Sequence, residues 1–179
     1  MATGLSLEHI ISFLLGTPMF GDLDAHELSE IVHIMQVQYV RADQILFREG
    51  HLGDAWYVVF EGELEVLGGR PTSPHARTLA RLGPAACFGE MSILDGSPRS
   101  ASVRAAKAST VFKFPRADFL DLLDEGNLAA FKLVYHMARQ LAVRQRQTTA
   151  RLNELLREHE DVRVHEELAP IVEVAATAE

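Results

Sequence analysis

Apolar and polar positions change their period twice along this chain. Leu7 to Leu15 and Leu23 to Met35 carry apolar residues at helical spacing, the second through Leu28, Ile31, Val32 and Met35, with Asp24 placed to cap it. Thr17-Pro18-Met19-Phe20-Gly21 separates the two. From Val37 the pattern shifts to short β-rich runs: Gln38 to Val40, Gln44 to Phe47, Ala55 to Phe60, Glu63 to Leu67, Thr78 to Leu82, Ser102 to Ala106 and Thr110 to Phe114. Turn signals punctuate them at Glu49-Gly50, Gly53-Asp54, Glu61-Gly62, Gly68-Gly69 and Gly83-Pro84, and Gly50, Gly53 and Gly62 read as turn glycines. Short strands at this spacing predict a closed barrel or a sandwich. Inside the β region, Gly89 to Leu94 reads as one short helix. The helical period then returns in Arg116 to Leu123 and, after a joint at Glu125-Gly126-Asn127, in Leu128 to about Val162. The expected division is a β-barrel with its N-terminal helices over residues 1–127, a long helix over 128–163 and a flexible tail over 164–179.

Composition narrows the class. The chain has 179 residues, 47% of them hydrophobic, enough for one sizeable core. Its formal net charge of -8 argues against nucleic-acid binding through a basic surface. The single cysteine, Cys87, excludes an internal disulfide framework. No apolar run reaches membrane-spanning length, and Glu8 and His9 interrupt the place a signal peptide would need. The expectation is a soluble, cytoplasmic protein without a membrane partner.

Chemistry concentrates between Cys87 and Val103. Arg99 supplies a planar fork of donors suited to the two exocyclic oxygens of a phosphodiester. A helix beginning near Gly89 would turn its first N–H groups toward the same anion, and a glycine there allows close approach to the backbone. Glu90 is an acceptor-only carboxylate able to take a ribose hydroxyl, and Ser100 adds a hydroxyl beside Arg99. No Ser/His/Asp set or acid–base pair of carboxylates accompanies these residues, so the pattern is that of a binder and not of an enzyme.

Phe88-Gly89-Glu90 followed by Pro98-Arg99-Ser100-Ala101-Ser102-Val103 resembles the phosphate-binding cassette of the cyclic nucleotide-binding domain family. A second block is similar to the family's barrel signature: Ile45-Leu46-Phe47-Arg48-Glu49-Gly50, Gly53-Asp54, Tyr57 and Glu61-Gly62-Glu63-Leu64-Glu65-Val66. The likeness runs from about Leu14 to about Val143 and is nearest to bacterial cAMP-receptor-like sensory domains. It implies an α+β fold: an antiparallel β-barrel or jelly-roll of about eight strands, with N-terminal helices, a short cassette helix and a long C-terminal helix. It also implies that Glu90 holds the ribose hydroxyl and Arg99 the cyclic phosphate. Phe88, Gly89, Met91, Ser92, Ser100 and Ala101 complete the expected ligand-binding set. Ser100, directly after the arginine, is compatible with either base; cAMP is favoured over cGMP. Alignment of His136 to Leu141 with the receptors' long helix puts Arg144 and Gln145 where the base is capped, although the receptors use hydroxyl residues there.

A heptad threads the long helix through Val134, Ala138, Leu141, Gln145, Thr148, Leu152, Leu155, His159 and Val162, which suits a homodimer seam. Lys132, Arg139, Arg144, Arg146 and Arg151 lie in a stretch without an acidic residue. Only a short tail follows, so the expected protein is a sensor that regulates a separate, unknown effector protein. Ligand-driven movement would pass from Phe88, Ile93 and Leu94 to Phe119, Leu122 and Leu123, and then through the joint to the long helix. Two rivals use a similar barrel. A haem sensor would need axial ligands such as His75 and Cys87, and a cupin-like metal enzyme would need clustered histidines that the sequence lacks. A ligand-free dimerisation module with a degenerate pocket is the alternative from another class.

Overall fold

A computed structural model describes residues 5–69 and 77–158. His75, His159, Val162 and the 164–179 tail lie outside the described residues. The N-terminal helices are α1 (Leu7–Leu15) and α2 (Ala25–His33). Ser6 caps α1 by accepting from the His9 N–H. Asp24 caps α2 in a reciprocal box: its carboxylate accepts from His26 and Glu27 N–H at 2.8 and 2.9 Å, while the Glu27 carboxylate accepts from Asp24 N–H at 3.0 Å.

Eight strands follow: β1 (Gln36–Val40), β2 (Ile45–Phe47), β3 (Ala55–Glu61), β4 (Leu64–Gly68), β5 (Arg77–Leu82), β6 (Cys87–Phe88), β7 (Ser102–Ala105) and β8 (Ser109–Pro115). They form two four-stranded antiparallel sheets, ordered β1-β8-β3-β6 and β2-β7-β4-β5. This is the expected jelly-roll. Three helices complete the described fold: α3 (Met91–Leu94), α4 (Arg116–Asp124) and α5 (Leu128–Glu158).

The strand β3 explains how the two halves of the core are divided. Ala55 to Val59 are all buried, so the run shows no alternation of polarity. Its side chains nevertheless alternate in destination, as the two-residue period of a strand requires. Trp56 and Val58 join a cluster containing Ile10, Leu14, Leu28 and Ile31 from the N-terminal helices, Phe112 and Phe114 from β8, and Phe119 from α4. Ala55, Tyr57 and Val59 join a second cluster with Leu64, Phe88, Val103 and Val111. Trp56 stacks on Phe114 at 4.2 Å between ring centroids and meets Phe119 edge-on at 5.7 Å. The two residues of β6 divide the same way, Cys87 to the first cluster and Phe88 to the second.

The chain forms two compact units, Met1–Met137 and Ala138–Glu179. The first closes inside α5, because Ala129, Ala130, Leu133 and Met137 are buried in the cluster under the N-terminal helices. Asn127 caps α5: its side-chain oxygen accepts from the Ala130 N–H at 3.0 Å, and its amide donates to Glu30 at 2.7 Å. Lys132 pairs with Glu27, and His136 lies 2.8 Å from Asp22. Lys132, one of the basic residues of the stretch without acids, is thus engaged by an acidic partner from α2. Val134, offered as the first seam residue, packs against the first unit's own core. In the second unit, the Thr148 hydroxyl donates to the Arg144 carbonyl at 2.9 Å, so this polar heptad position is satisfied within its own helix.

Candidate functional site

The segment after β6 turns sharply because Gly89 adopts φ +78°. A Cβ at that position would lie 2.7 Å from Arg99 Nη1 and 3.4 Å from the Ala55 carbonyl, so the position needs glycine for both conformation and space. The predicted helix from Gly89 is therefore shorter. It starts at Met91, with Glu90 in the N-cap position, and ends at Leu94. One turn of four residues sums few peptide dipoles, so the expected helix-dipole contribution to anion binding is small. Ile93 and Leu94 N–H both donate to the Glu90 carbonyl, at 3.0 and 3.1 Å. The Glu90 side chain makes no capping bond, and the residue is only 1% exposed. Asp95 then accepts from the Ser97 N–H at 2.9 Å, and the chain returns to Arg99.

Arg99 is fixed at both ends of the residue. Its N–H donates to the His51 carbonyl at 2.8 Å, and its carbonyl accepts from the Gly50 N–H at 2.9 Å. Only 3% exposed, its guanidinium lies 4.1 Å from the Phe47 ring centroid and 5.8 Å from that of Tyr57. Nη1 donates to the Gly89 carbonyl at 2.9 Å; Nη2 donates to the Ala55 carbonyl at 2.6 Å and to Asp54 Oδ1 at 3.3 Å. Nε is buried and has no partner among the described residues. A buried, charged group with an unspent donor is costly, and an incoming oxygen acceptor would relieve that cost. Burial pulls the Arg99 pKa below its ordinary value, against the opposing charges of Tyr57 and Asp54. The Tyr57 hydroxyl is pushed up to about 12, by burial first and by the Asp54 charge second.

Gly53, a turn glycine on the sequence pattern, lies against Ser92 and Arg99 of the candidate site. A Cβ built on it would meet Ser92 Cβ at 2.2 Å and Ser92 Oγ at 2.7 Å, with Arg99 Cζ at 3.3 Å. The glycine thus lets the strand-entry loop pass directly against α3 and the arginine. Gly50 and Gly62, at φ +79° and +97°, do serve turns. Asp54 was missed as a site residue. Its carboxylate bridges Arg99 and Lys113, the latter at 2.9 Å, and its carbonyl accepts from the Arg116 N–H at 2.7 Å where α4 begins. Burial raises the Asp54 pKa, but the hydrogen bond and charge of Lys113 outweigh it and hold the carboxyl below its ordinary range. Lys113 is far away in sequence and reaches Asp54 only because β8 pairs with β3. The available sequence signal was the Gly-Asp pair immediately before a buried strand.

The other predicted residues separate into groups. Gly89, Ser92 and Arg99 come together around Gly53 and Ala55, and the Glu90 charge acts on Arg99. Met91 and Ser100 meet on the exposed side, with the Ser100 hydroxyl 3.9 Å from Met91 Sδ; Ala101 is half-buried beside them in sequence. Phe88 belongs to the core, stacked on Tyr57 at 5.2 Å. The expected passage from Phe88 to Phe119 is therefore corrected, since the two side chains lie in different clusters. Ile93 does share Phe119's cluster, while Leu94 is exposed. Arg144 and Gln145 lie on α5 in the second unit. Cys87, the single cysteine of the chain, is buried. Among the described residues no group of histidine, cysteine or acidic side chains is arranged to hold a metal ion. No described helix is long and apolar enough to cross a membrane.

A jelly-roll with a buried arginine and a buried carboxylate on one short segment is a small-ligand binding domain in layout. The comparisons specify which. Residues 37–125 match the family model of the cyclic nucleotide-binding domain, and the chain belongs to that family. It is 35% identical over 130 residues to the cyclic AMP receptor protein of Thermus thermophilus, spanning 70% of this chain and 58% of that protein. A cyclic nucleotide-gated potassium channel of Mesorhizobium japonicum is 36% identical over 102 residues, 57% of this chain and 26% of the channel. This chain thus spans little more than half of the first relative and about a quarter of the second. The crystal structure of a cyclic nucleotide-binding domain from Methylobacillus flagellatus KT superposes with a TM-score of 0.69 at 28% identity, covering 82% of each chain.

Proposed function

We propose that this protein is a cyclic nucleotide sensor that prefers cAMP to cGMP and has no catalytic activity of its own. Arg99 receives the cyclic phosphate and Glu90 the ribose 2′-hydroxyl, with Gly89, Ser92 and Ser100 completing the sugar-phosphate end. The observation that carries this reading is the Arg99 guanidinium, nearly fully buried with its Nε–H unspent. Glu90, buried at the start of α3, supplies the opposite polarity that a ribose phosphate requires. The Thermus relative, named as a cyclic AMP receptor protein, supports the preference for adenine.

The proposed response is a change in α5. Ile93 of α3 shares one core cluster with Phe119 of α4 and with Ala129, Leu133 and Met137 of proximal α5. Movement of α3 on ligand binding would be felt by these helices, in proportion to the ligand's differential affinity for the two arrangements. Arg144 and Gln145 are proposed to cap the base. Proximal α5 also exposes Leu128, Phe131 and Tyr135 on successive turns, which supports homodimerisation through this helix; regulation of a separate effector protein in the cytoplasm belongs to the same proposal. The test is calorimetric titration with cAMP, cGMP and 5′-AMP, with hydrogen exchange on Leu128 to Leu156. Saturable binding of cAMP tighter than cGMP, and altered protection in α5, are expected. No binding of either cyclic nucleotide would favour the degenerate-pocket alternative, and unchanged protection would end the helix-movement proposal.

A further inference from the structure

Any two-point contact between a guanidinium and a phosphate uses one of two edges, Nη1 with Nη2 or Nε with Nη2. Both edges require a hydrogen on Nη2. In this protein Nη2 already donates to two acceptors, the Ala55 carbonyl at 2.6 Å and Asp54 Oδ1 at 3.3 Å. An anion gripped by two points must therefore displace one of them. The Ala55 carbonyl belongs to β3 and its bond is shorter. Asp54 is a side chain, 64% exposed, on the longer bond, and its negative charge also opposes the incoming phosphate. Asp54 is the group that yields.

What Asp54 does on release is decided by Lys113. Its ammonium already holds the other carboxylate oxygen at 2.9 Å. We propose that Lys113 is a positioning residue for ligand binding: it retains the Asp54 carboxylate when phosphate takes the Nη2 hydrogen, and so raises the protein's affinity for cyclic nucleotide. This inference rests on the functional reading above and assigns Lys113 no contact with the ligand. Without Lys113, Asp54 has Arg99 as its sole cationic partner among the described ion pairs, and the phosphate must compete for it directly.

The sequence position gives no hint of this role, because Lys113 lies on β8 opposite Tyr57 and Gln36, in a row otherwise devoted to the sheet. A general electrostatic role would also weaken binding when the lysine is removed, so a thermodynamic cycle is needed to separate the two. In the full chain, cAMP affinity is measured by calorimetry for wild type, Lys113→Met, Asp54→Asn, the double variant and Lys113→Arg. Because an exposed ion pair is worth up to about 1 kcal/mol, Lys113→Met is expected to weaken binding about three- to fivefold. Asp54→Asn should tighten it, Lys113→Met should have no further effect in the Asp54→Asn background, and Lys113→Arg should restore wild-type affinity. Wild-type binding with equal or tighter affinity in Lys113→Met overturns the proposal alone. An undiminished loss in the Asp54→Asn background does the same, as it assigns Lys113 to the general field. A wild-type chain that binds no cyclic nucleotide overturns both the proposal and the reading beneath it.

Discussion

Gly53→Ala is the smallest change that tests how the site is built. One added methyl group would stand 2.2 Å from Ser92 Cβ and 2.7 Å from Ser92 Oγ. Carbon atoms in contact sit about 3.5–4.0 Å apart, so α3 or the loop before β3 must shift by about 1.5 Å. Overpacking of this kind costs about 1–3 kcal/mol, or about 2–10 °C in melting temperature for a chain of this size. The strain falls where ligand is proposed to bind, because Arg99 Cζ is 3.3 Å from the same point. Affinity for cAMP should therefore drop by at least about tenfold, equivalent to about 1.4 kcal/mol. The assay is thermal unfolding paired with calorimetry on Gly53→Ala, Ser92→Gly and the double variant. Ser92→Gly removes both clashing atoms, so the double variant should recover melting temperature relative to Gly53→Ala, with a coupling of about 1 kcal/mol or more. A Gly53→Ala protein that melts and binds like wild type would refute the close-approach reasoning. It would return Gly53 to the status of an ordinary turn residue.

Other predictions follow from the caps and ion pairs. Asn127→Ala removes the acceptor for the Ala130 N–H and should cost about 0.5–2 kcal/mol. Hydrogen exchange should then accelerate first at Leu128 to Phe131; unchanged exchange there would show that the cap does not anchor α5. Glu27 is held below its ordinary 4.5 chiefly by the hydrogen bond from Lys132, and Glu63 below the same value by Lys107 and Arg81. Asp24 is held below 3.8 chiefly by its bond with the Glu27 main chain. Depressed folded-state values add stability above the unfolded-state values, and that stability is lost as pH falls through the folded ones. The melting temperature should therefore hold from neutrality to about pH 5 and decline below about pH 4. Lys132→Met should make the decline shallower; an identical profile would remove the Glu27–Lys132 pair from the account.

Much of this molecule was legible before its structure because local and long-range signals agree. The Asp24/Glu27 box marks α2, the apolar spacing marks α1 and α5, and turn glycines separate most strands. The cassette residues Gly89, Glu90 and Arg99 could be read from one continuous segment. What escaped notice depends on chain pairing. β6 is two residues long, with one side chain in each core cluster, so it has no period to detect. Gly53 carries the same letter whether it serves a turn or a close approach. The Asp54–Lys113 contact exists only through the β3–β8 register, and the stacking of Phe88 on Tyr57 only through the β3–β6 pairing. Val134 fitted a dimer heptad by spacing alone, but a helix that packs on its own barrel spends one face before any partner can use it.

The central claim is that Arg99 is the anion-binding group of a cyclic nucleotide pocket. Calorimetric titration of cAMP into the full chain, wild type beside Arg99→Ala, tests it most directly. The account predicts a saturable heat for wild type and a loss of about 2–5 kcal/mol, thirtyfold or more in affinity, in the variant. Equal affinities for the two proteins, or no heat for wild type, would contradict it.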